Sequence, residues 1–342
     1  MKKIVLTGGG TAGHVTPNIA LIEQLSNSCQ LHYIGTSGME SALIAPFVKN
    51  GNIIYHTITA HKLKRKLCMG NFLLPMRLIK SINEATKILR EIQPDLIFSK
   101  GGYVALPVVI AGHKLKIDCV MHESDITLGL ANKLSAPFCK KVFTAFPSTK
   151  CKNKQYVGTL IRKNIKEGNR SKGLQFMNFD GSKPILLVFG GSLGAKTLNN
   201  TIIQCQELSE KFDIFVLTGK NKRVDSKILH QAEYADNIGD LYKASSVCVT
   251  RGGSNSLFEL SICRLPFVCI PLEKSSRGEQ IKNAEYFTDN KCGISISEAR
   301  LNPITLTSAV NTLYQSSNAF PCVKKDFDGT MKVVEYLLNY KV

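Results

Sequence analysis

The sequence is short of several features that mark particular classes of protein. No apolar run among the 342 residues approaches the ~20 residues of a transmembrane helix, and the start MKKIVLTGGG does not resemble a signal peptide. The eleven cysteines include no C-x-x-C pair, and the seven histidines include no H-x-x-x-H pair. We therefore expect no metal site, and we expect the cysteines to be small buried side chains in a reducing cytosol.

Acidic residues are scarce, with 26 Asp and Glu against 44 Lys and Arg and a formal net charge of +18. Residues 1–160 hold 20 basic and 8 acidic residues, whereas residues 161–342 hold 24 and 18. A basic surface is typical of proteins that contact nucleic acid, an anionic membrane or a phosphorylated substrate, and solvated lysines without a partner are the alternative. The sequence carries no helix-turn-helix or RNA-binding signature, so nucleic acid is not expected as a partner.

Strand-like apolar runs alternate with helix-like segments along the whole chain. KIVLTG, DLIFSKG and DCVMHES are examples in the first half, and PILLVFG and SVCVTRGG are examples in the second. This alternation predicts α/β domains with parallel sheets covered on both faces. Because the polar segment 163–184 separates the halves, we predict two doubly wound domains that face one another across a cleft. They span residues 1–162 and 163–322, and a C-terminal helix in 323–342 packs back toward the first domain.

A glycine-rich loop follows the first strand-like run. Gly8, Gly10 and Gly13 fit the pattern G-x-G-x-x-G, in which backbone N–H groups approach a phosphate. A nicotinamide enzyme would also need an acidic residue near the end of the second strand, and His32–Gly38 contains none. The pattern therefore favours another phosphate-bearing ligand. Thr16 and Pro17 predict a helix that begins directly after the loop, with Thr16 as the N-cap.

A second strand-to-helix turn lies in VTRGGSNSLFEL, residues 249–260. Its backbone N–H groups and the positive end of the helix dipole suit a diphosphate. Glu259, about one turn into the helix, can accept hydrogen bonds from sugar hydroxyls; a surface role for this carboxylate is the alternative. Together with FGGSLGA in the same half, the turn favours a nucleotide-sugar site.

Six segments in order resemble the MurG family of peptidoglycan glycosyltransferases. They are GGGTAGHVTPNIAL, SKGGYVALPVVIAG, HESDITLGLANKL, FGGSLGAKTLN, TRGGSNSLFEL and RGEQIKNAEYF, and together they span nearly the whole chain. HESD and the GGS after Arg251 resemble the form found in low-GC Gram-positive bacteria. The resemblance implies a GT-B fold of two Rossmann-like domains. It also implies a metal-independent, inverting transfer of N-acetylglucosamine from UDP-GlcNAc to the C4 hydroxyl of lipid I, the undecaprenyl-diphosphate-linked MurNAc-pentapeptide.

The resemblance also implies a donor site. Its residues are Thr11, Ala12, Gly13, Asp125, Arg162, Ser192, Ile238, Ser254, Asn255, Ser256, Leu257, Phe258, Glu259 and Gln280. Arg162 and Ser192 are expected near the diphosphate, and Ile238 at the uracil. Glu259 is expected at the ribose and Gln280 at the GlcNAc hydroxyls. HESD departs from the HEQN of many members, and the ionised Asp125 accepts hydrogen bonds but donates none.

Three residues are candidates for the base that deprotonates the attacking hydroxyl. His14 follows the glycine loop, and histidine titrates near working pH. A histidine that caps the helix start and stabilises charge without moving a proton is the alternative. His122 and Glu123 of HESD are rival bases. Gly101, Gly102 and Tyr103 are expected to line the diphosphate site of the acceptor, where glycine N–H groups are available.

The segment HKLKRKLCMGNFLLPMRLIKSI, residues 61–82, alternates basic and apolar side chains. An amphipathic core helix is one interpretation, and a surface attracted to anionic lipid is the other. A lipid-linked acceptor favours the second. The expected membrane contacts are Lys64, Arg65, Phe72, Leu73, Met76, Ile79 and Lys140.

The combined expectation is a peripheral membrane glycosyltransferase on the cytoplasmic face, with UDP-GlcNAc and lipid I as substrates and no cofactor. Other cell-wall synthesis proteins are candidate partners. A GT-B transferase with a different lipid acceptor, such as diacylglycerol, is one alternative. A nucleotide-sugar-binding scaffold without catalysis is another.

Overall fold

The structure is a computed structural model that describes residues 1–61, 74–190, 195–219, 223, 225, 229–273, 278–316 and 325–341. The chain divides into two compact units. The first comprises Met1–Arg162 with Asp326–Val342, and the second comprises Lys163–Lys325.

The first unit contains a seven-stranded parallel sheet in the order β3-β2-β1-β4-β5-β6-β7. The strands are β1 (Lys2–Thr7), β2 (Cys29–Gly35), β3 (Ile54–Thr57), β4 (Leu96–Ser99), β5 (Cys119–Glu123), β6 (Lys141–Thr144) and β7 (Lys154–Tyr156). The helices between them are α1 (Thr16–Leu25), α2 (Met39–Lys49), α3 (Leu74–Ile92), α4 (Ala105–Lys114) and α5 (Leu130–Ser135). Ile4 and Leu6 of β1 join one apolar cluster and Val5 joins another, so the sheet is covered on both faces.

The second unit contains a six-stranded parallel sheet in the order β10-β9-β8-β11-β12-β13. The strands are β8 (Ile185–Phe189), β9 (Asp213–Leu217), β10 (His230–Ala232), β11 (Val247–Thr250), β12 (Phe267–Cys269) and β13 (Gly293–Ser295). The helices are α6 (Lys163–Lys166), α7 (Arg170–Met177), α8 (Lys196–Ile203), α9 (Gln206–Lys211), α10 (Ile238–Ala244), α11 (Ser254–Ile262), α12 (Glu279–Asp289) and α13 (Pro303–Gln315).

The last helix, α14 (Thr330–Asn339), belongs to the first unit and contacts α1. Its apolar residues Val333 and Leu337 lie in the same core cluster as Ile4. The Lys2 ammonium donates hydrogen bonds to the carbonyls of Leu337, Leu338 and Tyr340 at 2.6–3.2 Å, which satisfies the end of this helix.

The predicted α/β class with two parallel sheets is confirmed. One local detail was wrong: α1 begins at Thr16 and its N-cap is Val15, so Thr16 is the first helical residue and not the cap. In each sheet the strand order reverses once near its middle, between β1 and β4 and between β8 and β11. Ligands of such sheets bind beyond the carboxyl ends of the strands at this reversal. Within the described ranges, no helix is long and apolar enough to cross a membrane.

Candidate functional site

The glycine-rich loop of the first unit begins where β1 ends, beside the carboxyl end of β4. Thr11 occupies the N-cap position of a single 3-10 turn, Ala12–His14, which leads into α1. The Nδ1 atom of His14 lies 3.3 Å from the carbonyl oxygen of Lys100, the residue after β4. Because a carbonyl only accepts hydrogen bonds, this contact places the proton of the neutral ring on Nδ1 and the basic lone pair on Nε2.

The predicted acceptor residues 101–103 pack directly on this loop. The Gly9 N–H donates to the Gly101 carbonyl at 3.4 Å. A Cβ built on Gly10 would lie 2.3 Å from the Tyr103 ring, so the ring covers the loop. Burial raises the pKa of Tyr103, and the Glu40 carboxylate raises it further, which keeps the phenol neutral. The structure therefore brings His14 and residues 101–103 into one cluster.

Gly102 is a point of close approach between the two segments, because its φ is +81° and a Cβ there would lie 2.2 Å from the Gly9 carbonyl oxygen and 3.0 Å from the His14 ring. We expect Gly102→Ala to push the glycine-rich loop and residues 101–103 apart and to lower kcat by about tenfold or more. Gly51→Ala is the matched control, since Gly51 has a φ of +73° but no described atom within 4 Å of the added Cβ. It should cost roughly 1 kcal/mol of stability and leave kcat unchanged. The measurements are kcat and thermal unfolding of both variants. Equal kcat values for the two variants would contradict the prediction.

The two rival bases of HESD lie at the end of β5 and are buried. The His122 side chain has 0% exposure, and its Nε2 contacts the Gly158 carbonyl oxygen at 2.9 Å. Burial lowers the pKa of His122 far below its ordinary value, and the Lys100 cation lowers it further. The Glu123 carboxylate accepts hydrogen bonds from the N–H groups of Asp125 and Gly129 and from the Asn132 amide at 2.8–3.0 Å. These contacts favour structural roles for both side chains.

Two charged residues of this region were missed by the sequence analysis. Lys100 is 1% exposed, and its Nζ donates to the Ser124 hydroxyl at 2.7 Å and to the His122 carbonyl at 3.5 Å. Glu40 is buried against the glycine loop, where it accepts hydrogen bonds from the Gly10 N–H at 3.3 Å and the Thr36 N–H at 3.0 Å. A lysine between a strand and two glycines, as in SKGGY, was the available signal for Lys100. No comparable motif marked Glu40.

In the second unit, the turn after β11 leads into α11 through Gly252 and Gly253. Arg251 is buried and holds this turn: its guanidinium donates to Glu298 at 2.8 Å and to the Ile270 carbonyl at 3.2 Å. The Asn283 amide of α12 donates to the Gly252 carbonyl at 3.2 Å. The predicted residues Ser254, Asn255, Ser256, Leu257, Phe258 and Glu259 form the first turns of α11, and of these Leu257 and Phe258 face the core.

Two further predicted donor residues, Ile238 and Gln280, lie around this helix start. Tyr242 of α10 donates a hydrogen bond to the Glu259 carboxylate at 3.2 Å. Ile238 is the first residue of α10, whose N-cap is Asn237. The side-chain oxygen of Gln280, near the start of α12, accepts from the Leu272 N–H at 3.0 Å, and Gly252 packs on its backbone. These residues surround the carboxyl edge of β11 and β12, as expected for a ligand site of this sheet.

The remaining predicted residues are placed as follows. Arg162 is the half-buried last residue of the first segment of the first unit, and Asp125 is half-buried two residues after β5.

Met76 and Ile79 on α3 are 69% and 58% exposed, and the Lys140 ammonium lies 3.4 Å from the Asp118 carboxylate. Ser192, Lys64, Arg65, Phe72 and Leu73 lie outside the described residues. Over the parts of the chain that are described, no three His, Cys, Asp or Glu side chains cluster as a metal site.

The chain is similar in sequence to proteins named UDP-N-acetylglucosamine–N-acetylmuramyl-(pentapeptide) pyrophosphoryl-undecaprenol N-acetylglucosamine transferase. The relative from Clostridium botulinum (strain Langeland) is 41% identical, with 99% of each chain covered. The relative from Clostridium tetani (strain Massachusetts) is 42% identical, with 93% of this chain and 92% of that protein covered.

The fold is also that of a solved relative. The crystal structure of Acinetobacter baumannii MurG superposes with a TM-score of 0.76 at 23% identity and covers 99% of this chain and 100% of that one. The glycosyltransferase family 28 N-terminal domain matches residues 4–144, and the family 28 C-terminal domain matches residues 185–332. The chain therefore belongs to glycosyltransferase family 28, as a glycosyltransferase of the MurG group with a GT-B fold.

Proposed function

We propose that this chain transfers N-acetylglucosamine from UDP-GlcNAc to the C4 hydroxyl of the MurNAc-pentapeptide on undecaprenyl diphosphate. The observation that carries the proposal is the 41% identity to a transferase named for this reaction, with 99% of both chains covered. Residues at the carboxyl edge of each sheet agree with the proposal. The first sheet has His14 beside glycine N–H groups, and the second sheet has the start of α11 with the Glu259 carboxylate.

In the proposed reaction, the acceptor oxygen attacks the anomeric carbon of the donor as the bond to the diphosphate breaks. The acceptor proton passes to Nε2 of His14, whose tautomer is set by the Lys100 carbonyl, and UDP leaves with the bonding electron pair. We assign the leaving diphosphate to the backbone N–H groups at the start of α11, with Ser192 and Arg162 as further ligands. Glu259 holds the ribose, Ile238 the uracil, and Gln280 and Asp125 the sugar. Residues Thr11–Gly13 line the sugar, and residues 101–103 line the acceptor diphosphate.

The test is UDP release by the purified protein with UDP-GlcNAc and a lipid I analogue. Parallel reactions contain UDP-glucose as the donor or diacylglycerol as the acceptor. We expect release only with the first pair, together with a product that carries a new β-linked sugar. Release with diacylglycerol, or with another sugar nucleotide alone, contradicts the assignment. UDP-GlcNAc binding without turnover supports the scaffold alternative.

We also propose peripheral attachment to the cytoplasmic face of an anionic membrane. Met76 and Ile79 are exposed at the start of α3, whereas Ile82, Ala85 and Leu89 of the same helix are buried in the core. The core-helix interpretation therefore suits the later turns and leaves the first turns for lipid. Further exposed apolar side chains follow in and after α5, at Leu130, Leu134 and Phe138.

For this attachment, we expect Met76→Glu with Ile79→Glu to weaken co-sedimentation with phosphatidylglycerol vesicles by about tenfold, because apolar contact and attraction to anionic lipid are both reduced. The control is Ile304→Glu with Met331→Glu, which adds the same two negative charges at apolar residues that are 82% exposed on α13 and 50% exposed on α14. Equal losses in the control and the double variant would show a general effect of charge and would refute the assignment of this face.

A further inference from the structure

Lys100 is a buried cation that the proposed reaction does not use. It follows β4, and its ammonium contacts the Ser124 hydroxyl and the His122 carbonyl, both at the end of β5. Burial lowers the pKa of Lys100 to about 8, while the carboxylates of Glu123 and Asp125 raise it. The residue also connects two segments, since its carbonyl oxygen contacts His14 Nδ1 and its side chain contacts Ser124.

Packing alone does not account for a lysine at this position. Removing an ammonium from water is costly, and an apolar side chain of similar length would fill the same space at lower cost. The charge must therefore be offset by groups near it. Its hydrogen-bond acceptors are a hydroxyl and a carbonyl, which are neutral, so the compensating negative charge comes from the nearby Glu123 and Asp125.

Asp125 differs from Glu123 in its surroundings. Glu123 is 3% exposed and bound by three protein donors, whereas Asp125 is only half-buried and follows the turn that Lys100 holds. Asp125 stands where the HEQN pattern has asparagine. An uncompensated carboxylate at that point would repel an anionic ligand such as a nucleotide sugar and would weaken its binding.

We propose that Lys100 is a positioning residue of the donor-sugar site: its ammonium fixes Ser124 and offsets the charge of Asp125, so that the Asp125 carboxylate accepts hydrogen bonds from the sugar hydroxyls. The inference rests on the proposed function, because it assigns the sugar that Asp125 contacts. It does not require Lys100 to touch the substrate.

The experiment compares Lys100→Met, Asp125→Asn and the double variant in steady-state turnover of UDP-GlcNAc with the lipid I analogue. We expect Lys100→Met to raise the KM for UDP-GlcNAc by about tenfold, with a smaller change in kcat. Asp125→Asn removes the charge that Lys100 offsets. The double variant should therefore recover most of the loss and lie within about threefold of Asp125→Asn alone. Lys154→Met is the control, since its ammonium also donates two hydrogen bonds, to the Pro147 and Thr149 carbonyls at 3.0 Å, but the residue is exposed at the start of β7.

A pH profile separates positioning by charge from mere packing. His122, Glu123 and Asp125 are the titratable groups that face the ammonium, and His14 contacts the Lys100 carbonyl. As the pH rises through about 8, Lys100 loses its proton and the compensation is lost. The wild-type kcat/KM for UDP-GlcNAc should fall above this pH, and Lys100→Met should lack that fall. If Lys100→Met does not fold, Ser124→Ala serves instead, with a smaller rise in KM expected.

The outcomes distinguish the inference from the function on which it rests. If the wild-type protein shows no turnover with UDP-GlcNAc and lipid I, the proposed function is refuted, and the role of Lys100 is refuted with it. Wild-type turnover together with an unchanged KM in Lys100→Met, or a double variant no better than Lys100→Met, overturns the role of Lys100 alone. The role of Lys100 is supported if Asp125→Asn restores the KM of Lys100→Met and if Lys100→Met lacks the fall in kcat/KM at alkaline pH.

Discussion

Replacement of His14 by alanine is expected to lower kcat by a factor of about 100 to 10,000, the usual contribution of a positioned general base. His14 is half-buried at the end of the 3-10 turn, and its Nδ1 contacts the Lys100 carbonyl at 3.3 Å. This contact orients the ring and places the lone pair on Nε2. Alanine removes the proton acceptor but leaves the backbone of the loop. The KM for UDP-GlcNAc should therefore change much less than kcat.

The measurement is turnover of UDP-GlcNAc with the lipid I analogue between pH 5 and 9. A histidine base must be neutral to accept a proton, so wild-type kcat should decline toward low pH and His14→Ala should lose this decline. His113→Ala is the matched control, because His113 is exposed near the end of α4 and contacts the Phe138 ring. A large loss in Glu123→Gln with near-normal kcat in His14→Ala would assign the base to Glu123 instead.

The sequence could not rank the candidate bases, because His14, His122 and Glu123 all lie at or shortly after the carboxyl end of an apolar strand. The difference lies in contacts that form only in the folded chain. His122 bonds to Gly158, which is 36 residues away, and Glu123 anchors the turn that leads to α5. Burial removes both side chains from solvent, whereas His14 stays half-buried. No local pattern encodes that difference.

The features that were predictable depend on local physics. Continuous apolar runs predicted β1, β4, β5, β8 and β11, and a serine-rich helix start after two glycines predicted α11 at Ser254. The missed residues Lys100 and Glu40 depend on strand order. β1 pairs with both β2 and β4, which places Lys100 and the start of α2 on either side of the glycine loop. Distances along the chain do not give that order.

Replacement of Glu259 by alanine should weaken binding of UDP by about 100-fold or more, since each hydrogen bond from a hydroxyl to a carboxylate contributes roughly 1.5–3 kcal/mol and the ribose offers two. Glu259 lies in the second turn of α11, where Tyr242 donates to its carboxylate at 3.2 Å. A carboxylate accepts up to about four hydrogen bonds, so this contact orients the group and leaves capacity for the ribose. The loss should appear in calorimetric titration with UDP.

The ribose contact can be isolated by comparing UDP with 2′-deoxy-UDP. Wild-type protein should bind UDP more tightly, and Glu259→Ala should bind the two nucleotides alike, because the partner of the 2′ hydroxyl is gone.

Tyr242→Phe keeps the ring that packs on Phe189 at 5.9 Å and removes only the donor to Glu259. Its effect should be about threefold, in line with one hydrogen bond that acts indirectly. Glu285→Ala, an exposed carboxylate on α12, controls for the loss of negative charge in this unit. Unchanged discrimination between the two nucleotides in Glu259→Ala would leave Glu259 as a surface carboxylate that pairs with Tyr242, and would move the ribose site elsewhere.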